Sequence, residues 1–209
     1  MDRGRLEAFS DGVFAVAITL LALGLSVAGP GHGSLAHQLG HRWPQVVAYL
    51  ISFLTIGIIW VNHHALVRNI AKVDRVLLFL NLFLLLFVVL IPFATSTMAS
   101  YLSQPGYDSH VAMALYAAVF EGMAIAFSAL FAWTLKEGHT HQPVPPHARR
   151  AAAGRFLAGN VPYLVAIGVA FVSPAVSLGL IGAVALYYVF ENTPATAPAE
   201  AVPETPPGT

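Results

Sequence analysis

Between Arg75 and Thr95 the chain reads VLLFLNLFLLLFVVLIPFA, residues 76–94, with no charged side chain. A helix that crosses the hydrocarbon core of a bilayer needs about 20 predominantly apolar residues, and this stretch supplies them. It is apolar on every face rather than along one stripe, the pattern of a span or of a fully buried helix. It predicts a transmembrane helix over about 75–99, with Asn81 available to bond across helices and Pro92 expected to kink the segment.

Five further runs of this kind lie outward from it, at about 8–27, 46–67, 110–135, 156–172 and 175–190. The first closes at the Gly29-Pro30-Gly31 breaker, and Ser173-Pro174 separates the last two. Pro162 falls near the start of the fifth. The expected fold is an all-α polytopic membrane protein in which residues 1–192 form six transmembrane helices and residues 193–209 a disordered tail. The basic start and first apolar run have the outline of a signal peptide. Glu7 and Asp11 beside the run, with no small-x-small cleavage site, favour a retained first helix.

Composition agrees. Of 209 residues 57% are hydrophobic and 10% charged, against roughly 25% charged in an ordinary soluble domain. The mean hydropathy is +0.71. Without cysteine there is no disulfide framework and no thiolate metal site. A net charge of +0 with dispersed basic residues argues against nucleic acid as a partner, because affinity there needs clustered Lys and Arg.

The basic residues also orient the chain. With six spans, Arg3, Arg5, Arg68, Lys72, Arg75, Lys136, Arg149, Arg150 and Arg155 share one side, and Arg42 stands alone on the other. Both termini are therefore expected in the cytoplasm, in a plasma-membrane protein. The connection from Lys136 to Arg155, with HTHQPVPPHARR, reads as a solvated Pro-rich loop. Its histidines at 139, 141 and 147 are too irregularly spaced for a metal motif.

Polar groups inside spans are costly unless paired, so each one poses a question. Arg5, Phe9, Ser10 and Asp11 stand at the inner end of the first span; Trp60, Asn62, His63 and His64 lie in GIIWVNHHALVR on the second. One helix rises from the cytoplasm and the other descends to it, so the two groups share a depth. Asp11 can then accept from a histidine N–H, the Trp60 indole N–H or the Asn62 amide. A structural clamp, a protonation-sensitive relay and a metal site are all compatible with this. Adjacent histidines point about 100° apart on a helix and do not easily hold one ion, so no metal and no cofactor are expected. Glu121 is the one mid-span carboxylate and must be neutral, paired or in contact with water. Gly122 and Ala118 beside it suggest close helix contact.

The Arg5, Phe9-Ser10-Asp11-Gly12 element at the mouth of the first span, Trp60 to His64 on the second, and Asn81 with Pro92-Phe93 on the third resemble prokaryotic members of the lysosomal potassium channel family, transmembrane protein one-seventy-five. The resemblance covers about the first 190 residues. It implies a potassium-permeable channel without a TVGYG filter, built as a homotetramer of six-helix subunits whose first helices surround the pore. It places the constriction at Val16, a hydroxyl ring at Thr19 and further apolar rings at Leu20 or Leu23. The permeant ion would be potassium, and the protein would not be an enzyme.

Geometry permits this. Gly12, Val16, Thr19, Leu23 and Ser26 advance by three or four residues and so share one face of a continuous helix. Hydroxyls mixed with aliphatics suit a narrow, partly wet pore that gates by dewetting, although small residues also line ordinary helix interfaces. Two other functions compete. A proton-coupled transporter would use Asp11, His63 and Glu121 as a relay, but residues 1–100 and 101–192 lack the internal symmetry common to such proteins. A membrane enzyme would need a second chemical constellation near the histidines, and no H-E-x-x-H motif is present.

Overall fold

A computed structural model of the chain describes residues 2–27, 29–136, 139–141 and 146–190, by backbone alone at 146–153 and 155–158. It is all-helical: α1 (Arg3–Ala22), α2 (Leu35–His41), α3 (Trp43–Arg68), α4 (Arg75–Tyr101), α5 (Asp108–Thr134), α6 (Pro146–Ala170) and α7 (Pro174–Phe190). Among the described residues, α3, α4 and α5 are long and apolar enough to cross a membrane. The protein is thus a multi-pass membrane protein.

Six of the helices fall on the six expected runs, and α2 is an addition in the connection after the first. Ser34 starts it, its hydroxyl accepting from the His37 N–H at 3.3 Å. Its polar, His-containing sequence carries no span signal, which is why hydropathy passed over it. Two boundaries also differ. The first helix ends at Ala22 rather than near 27, closing through Leu23, Gly24 and Leu25 N–H groups that bond three residues back. The run stays apolar past Gly24, so hydropathy does not mark the stop. At the other end of the bundle, α6 begins at Pro146, inside the segment expected to be a loop; proline at a helix start costs no hydrogen bond. Both α4 and α6 continue through their internal prolines, Pro92 and Pro162. The expected tail, 193–209, lies outside the described residues.

The expected solvated loop is partly docked. The Ala71 N–H donates to the His139 carbonyl at 2.9 Å and the His141 N–H to the Asn69 carbonyl at 3.2 Å, framing a single bridge between Ile70 and Thr140. Asp74 anchors this corner. It caps α4 by accepting from the Leu77 N–H at 2.8 Å, accepts from the Trp133 indole at 3.2 Å and meets His139 Nε2 at 3.1 Å. The Leu77 N–H foremost, then His139 and Trp133, hold its carboxyl below the usual aspartate value.

Helix α4 is the centre of the packing, in contact with α1, α3 and α5, while α6 and α7 pack on α5. Its buried seam runs Leu77, Asn81, Leu84, Val88, Ile91, Thr95, Met98, and its exposed face carries Phe79, Phe83, Leu86 and Phe93. Both faces are apolar, as a helix between protein and lipid requires. Where α4 meets α5, Gly122 lets the Phe87 ring lie against the backbone, since a Cβ there would overlap the ring. A buried hydroxyl line ties α3, α4 and α5. Thr95 donates to the Ile91 carbonyl, so it must accept from Ser52 (2.8 Å), which leaves Ser52 to accept from Tyr116 (2.9 Å).

Candidate functional site

Helix α1 has two unlike faces. Leu6, Ser10, Phe14, Ala17 and Leu21 recur every three or four residues and are buried against α3 and α4. Phe9, Gly12, Val16, Thr19, Leu20 and Leu23 are exposed on the other side, Val16 at 56% and Leu23 at 76%. The Thr19 hydroxyl donates to the Val16 carbonyl at 2.8 Å, which leaves it only lone pairs to offer. Four of the five residues of the expected stripe therefore share an unpacked surface of α1 and its C-cap. Ser26 lies beyond the helix end, so helical spacing does not carry it.

The polar face of α1 meets α3 in three rungs. Arg3 Nη1 donates to the Arg68 carbonyl at 3.0 Å, Glu7 Oε1 lies 3.1 Å from His64 Nδ1, and Asp11 Oδ1 accepts from the Trp60 indole at 2.9 Å. Steps of four residues up one helix match steps of four down the other, as antiparallel helices demand. The Glu7–His64 rung is a close polar contact rather than a directed hydrogen bond, and becomes an ion pair only with His64 protonated.

A second polar line runs behind the rungs. Ser10 gives its proton to the Leu6 carbonyl (2.9 Å) and so accepts from Asn81 Nδ2 (3.0 Å), leaving Asn81 Oδ1 to accept from His63 Nε2 at 2.7 Å. The bonding order thus places the proton of His63 on Nε2. Its Nδ1 has no partner among the described residues, and its ring packs on Phe14 with centroids 5.4 Å apart.

The expected clamp therefore takes a different wiring. Asp11 takes the Trp60 indole, as one of its three options, but neither histidine: His63 turns to Asn81 and His64 to Glu7. Asn62 makes no side-chain hydrogen bond among the described residues and lines a cavity on another face of α3. Arg5 is exposed and makes none among them either. The expected metal objection was that two adjacent histidines diverge, and they do; the set that does converge is Glu7, Asp11 and His64, with donor atoms within 4.8 Å of one another. Glu121 is buried on α5, and no hydrogen bond joins it to this cluster among the described residues.

Comparison with known proteins places this arrangement. The family described as endosomal/lysosomal potassium channel TMEM175 matches residues 5–92, which hold the exposed stripe, the Asn81 line and two of the three rungs. A protein named as a potassium channel from Streptomyces collinus is 47% identical over 92% of this chain and 94% of its own length. The chain belongs to the TMEM175 family. A crystal structure described as a lysosomal potassium-selective channel TMEM175 homologue from Chamaesiphon minutus superposes with a TM-score of 0.78 at 36% identity, covering 90% of this chain and 96% of that one. The cattle protein named endosomal/lysosomal proton channel TMEM175 is 32% identical over 68% of this chain, which spans only 32% of that longer protein.

As a TMEM175-family member the protein belongs with channels rather than enzymes. Two of the residues that shape the site carry weaker sequence signals. Glu7 stands four residues before Asp11 and so shares its face, a spacing that pairs it with His64 once Asp11 is paired with Trp60. Asn81 looks like one polar residue among many in a span, yet it is the link between α1 and α3. The TMEM175 chain thus builds this end of the bundle from three helices, not two.

Proposed function

We propose that this chain is one subunit of a homotetrameric potassium channel of the plasma membrane, with α1, α3, α4, α5, α6 and α7 as its six spans and both termini in the cytoplasm. The four copies of α1 surround the axis, and Val16, Thr19, Leu20 and Leu23 line the conduction path. No TVGYG loop is available to replace the ion's hydration shell with carbonyls. Rings of Val16 and Leu23 constrict the path and gate it by excluding water, while Thr19 offers an oxygen between them.

One observation carries the reading: the exposed face of α1 mixes Gly12 and Thr19 with aliphatics, and its opposite face is fixed to α3 and α4. A lipid-facing helix has no use for a hydroxyl or a bare glycine there, whereas a pore on a symmetry axis needs one such stripe per subunit. The names of the relatives supply the ion, and the concentration of Lys and Arg at one end supplies the orientation. The rungs and the Asn81 line support α1 from behind, so the wall of the pore is held by bonds outside the ion path.

The test is purified protein in liposomes under a potassium gradient alone, with native mass spectrometry of the same sample. Potassium-driven flux from a tetramer is expected, and a proton-gradient arm separates it from coupled transport. A monomer, or a tetramer whose potassium flux requires a proton gradient, overturns the proposal.

A further inference from the structure

Away from α1, helices α3, α5, α6 and α7 enclose a cavity of about 560 Å³, its mouth included. Small-molecule sites favour such spaces between the helices of a bundle. Its walls are mainly apolar, and no charged side chain lines it among the described residues. Thr55, Asn62, Ser128, Asn160 and Tyr163 supply the polar groups.

The hydrogen bonds fix what these groups offer. Ser128 gives its proton to the Ala124 carbonyl at 2.8 Å, so its Oγ can only accept from Asn160 Nδ2, at 3.3 Å. The Asn160 amide is thereby oriented, with its NH2 toward Ser128. Its Oδ1, on a side chain 8% exposed, is left with no donor among the described residues. Thr55 likewise spends its proton on the Ile51 carbonyl at 2.8 Å and presents only lone pairs. The cavity is therefore an apolar chamber with unused acceptors at Asn160 and Thr55, beside the Asn62 amide and the Tyr163 hydroxyl, and no countercharge. Burying an acceptor without a donor is costly, and burying a cation without a carboxylate costs more.

We propose that this cavity is a binding site for a small uncharged amphiphile, an apolar alcohol or phenol, whose hydroxyl donates to Asn160 Oδ1 while its hydrocarbon fills the space lined by α3, α5, α6 and α7. An amine in its charged form is excluded by the missing carboxylate, and a pure hydrocarbon leaves Asn160 unpaired. The site does not depend on potassium conduction and stands or falls separately from it.

The test is photolabelling of the full chain in liposomes with 3-azioctanol, with adducts located by peptide mass spectrometry and competed by excess octanol. Saturable adducts on cavity residues such as Tyr163 are expected. Asn160→Leu removes the acceptor and is expected to lower saturable labelling at least tenfold. Ala124→Leu narrows the chamber and is expected to do the same with Asn160 intact. Each variant is checked for an unchanged melting temperature, and the saturability of the parent decides the matter even if one variant is unstable. Labelling that does not saturate, or that spreads evenly over lipid-facing residues such as Leu86 and Phe93, overturns the proposal. So does cavity labelling that Asn160→Leu leaves unchanged, the result expected if water or lipid tails alone fill the space.

Discussion

The Trp60 indole N–H points across 2.9 Å to one carboxylate oxygen of Asp11, joining α3 to α1. Hydrogen bonds to ionised acceptors contribute more than neutral ones, and this one has no substitute donor on its rung. Trp60→Phe keeps the ring and removes only the N–H. A loss of about 1–3 kcal/mol is expected, read as a lowered melting temperature in detergent together with a smaller tetramer fraction. Asp11→Asn is expected to weaken the same rung. If either variant stays a fully stable tetramer with altered permeation alone, Asp11 acts on ions and not on the scaffold.

His63 and Asn81 form a tighter test because both are buried. Truncating His63 to Ala strands Asn81 Oδ1, and truncating Asn81 to Ala strands both His63 Nε2 and Ser10 Oγ. Each single change is expected to cost about 1–3 kcal/mol or more. The double variant should cost less than the sum, since the penalty of a stranded partner is counted twice in the singles. Additive losses in thermal unfolding would mean that the two side chains do not communicate.

Permeation is tested on the outer face of α1. Val16→Asn or Leu23→Asn is expected to wet a dry ring, raising cation conductance and weakening discrimination between potassium and sodium. Thr19→Val should reduce conductance by removing an oxygen. Phe14→Asn, on the buried face at 1% exposure, should instead reduce stability, as a polar group forced into the core. Flux and reversal potential are measured on confirmed tetramers. Parent-like behaviour at positions 16, 19 and 23 together would remove α1 from the ion path.

Asp74 makes stability depend on pH at the α3–α4 corner. Its carboxyl titrates lower in the folded protein than its ordinary value of 3.8. The folded state therefore binds this proton less readily than the unfolded one. The stabilisation is fully present above the unfolded value and is lost as pH falls through the folded one. Melting temperature should drop as pH is lowered from 5 toward 3, and Asp74→Asn should flatten that slope. Asp74→Ala, which also removes the α4 cap, should cost about 1 kcal/mol at neutral pH.

Gly122→Ala tests the approach of α5 to α4. The added methyl collides with the Phe87 ring, and overpacking of this kind costs about 1–3 kcal/mol. Phe87→Leu in the same chain should restore much of the loss. An unchanged melting temperature for Gly122→Ala alone would show that the ring moves aside freely.

The long helices were legible because a bilayer imposes length and apolarity on a local run, and both can be read without knowing any neighbour; of the six runs, α3, α4 and α5 carry that signal in full. Helix α2 was not legible, since a short polar helix is defined by the cap at Ser34 and not by hydropathy. Within the site, co-location of Asp11 with Trp60 followed from antiparallel depth alone. The partners of His63 and His64 did not, because choosing among Asp11, Glu7 and Asn81 requires the rotation of each helix about its axis. A pattern of residues along one helix leaves that angle free until a third helix, here α4 with Asn81, closes the triangle. The docking of His139 on the α3–α4 turn was hidden for a similar reason: its partners lie 65 or more residues away and share no pattern with it.

The rungs between α1 and α3 act as a vernier. Slide one helix past the other by a single step of four residues, about 6 Å, and in one direction Asp11 comes to face Ile56, an aliphatic chain with nothing to give a carboxylate. In the other direction Trp60 comes to face Ala15 and its N–H goes unanswered. Each slip makes some new pairs, Trp60 with Glu7 one way and Asp11 with His64 the other, but either one parts Ser10 from Asn81. The present register serves all three rungs and the buried line together, and every copy in an assembly that keeps it would set its Val16 and Leu23 at the same level. Rings need that alignment to close.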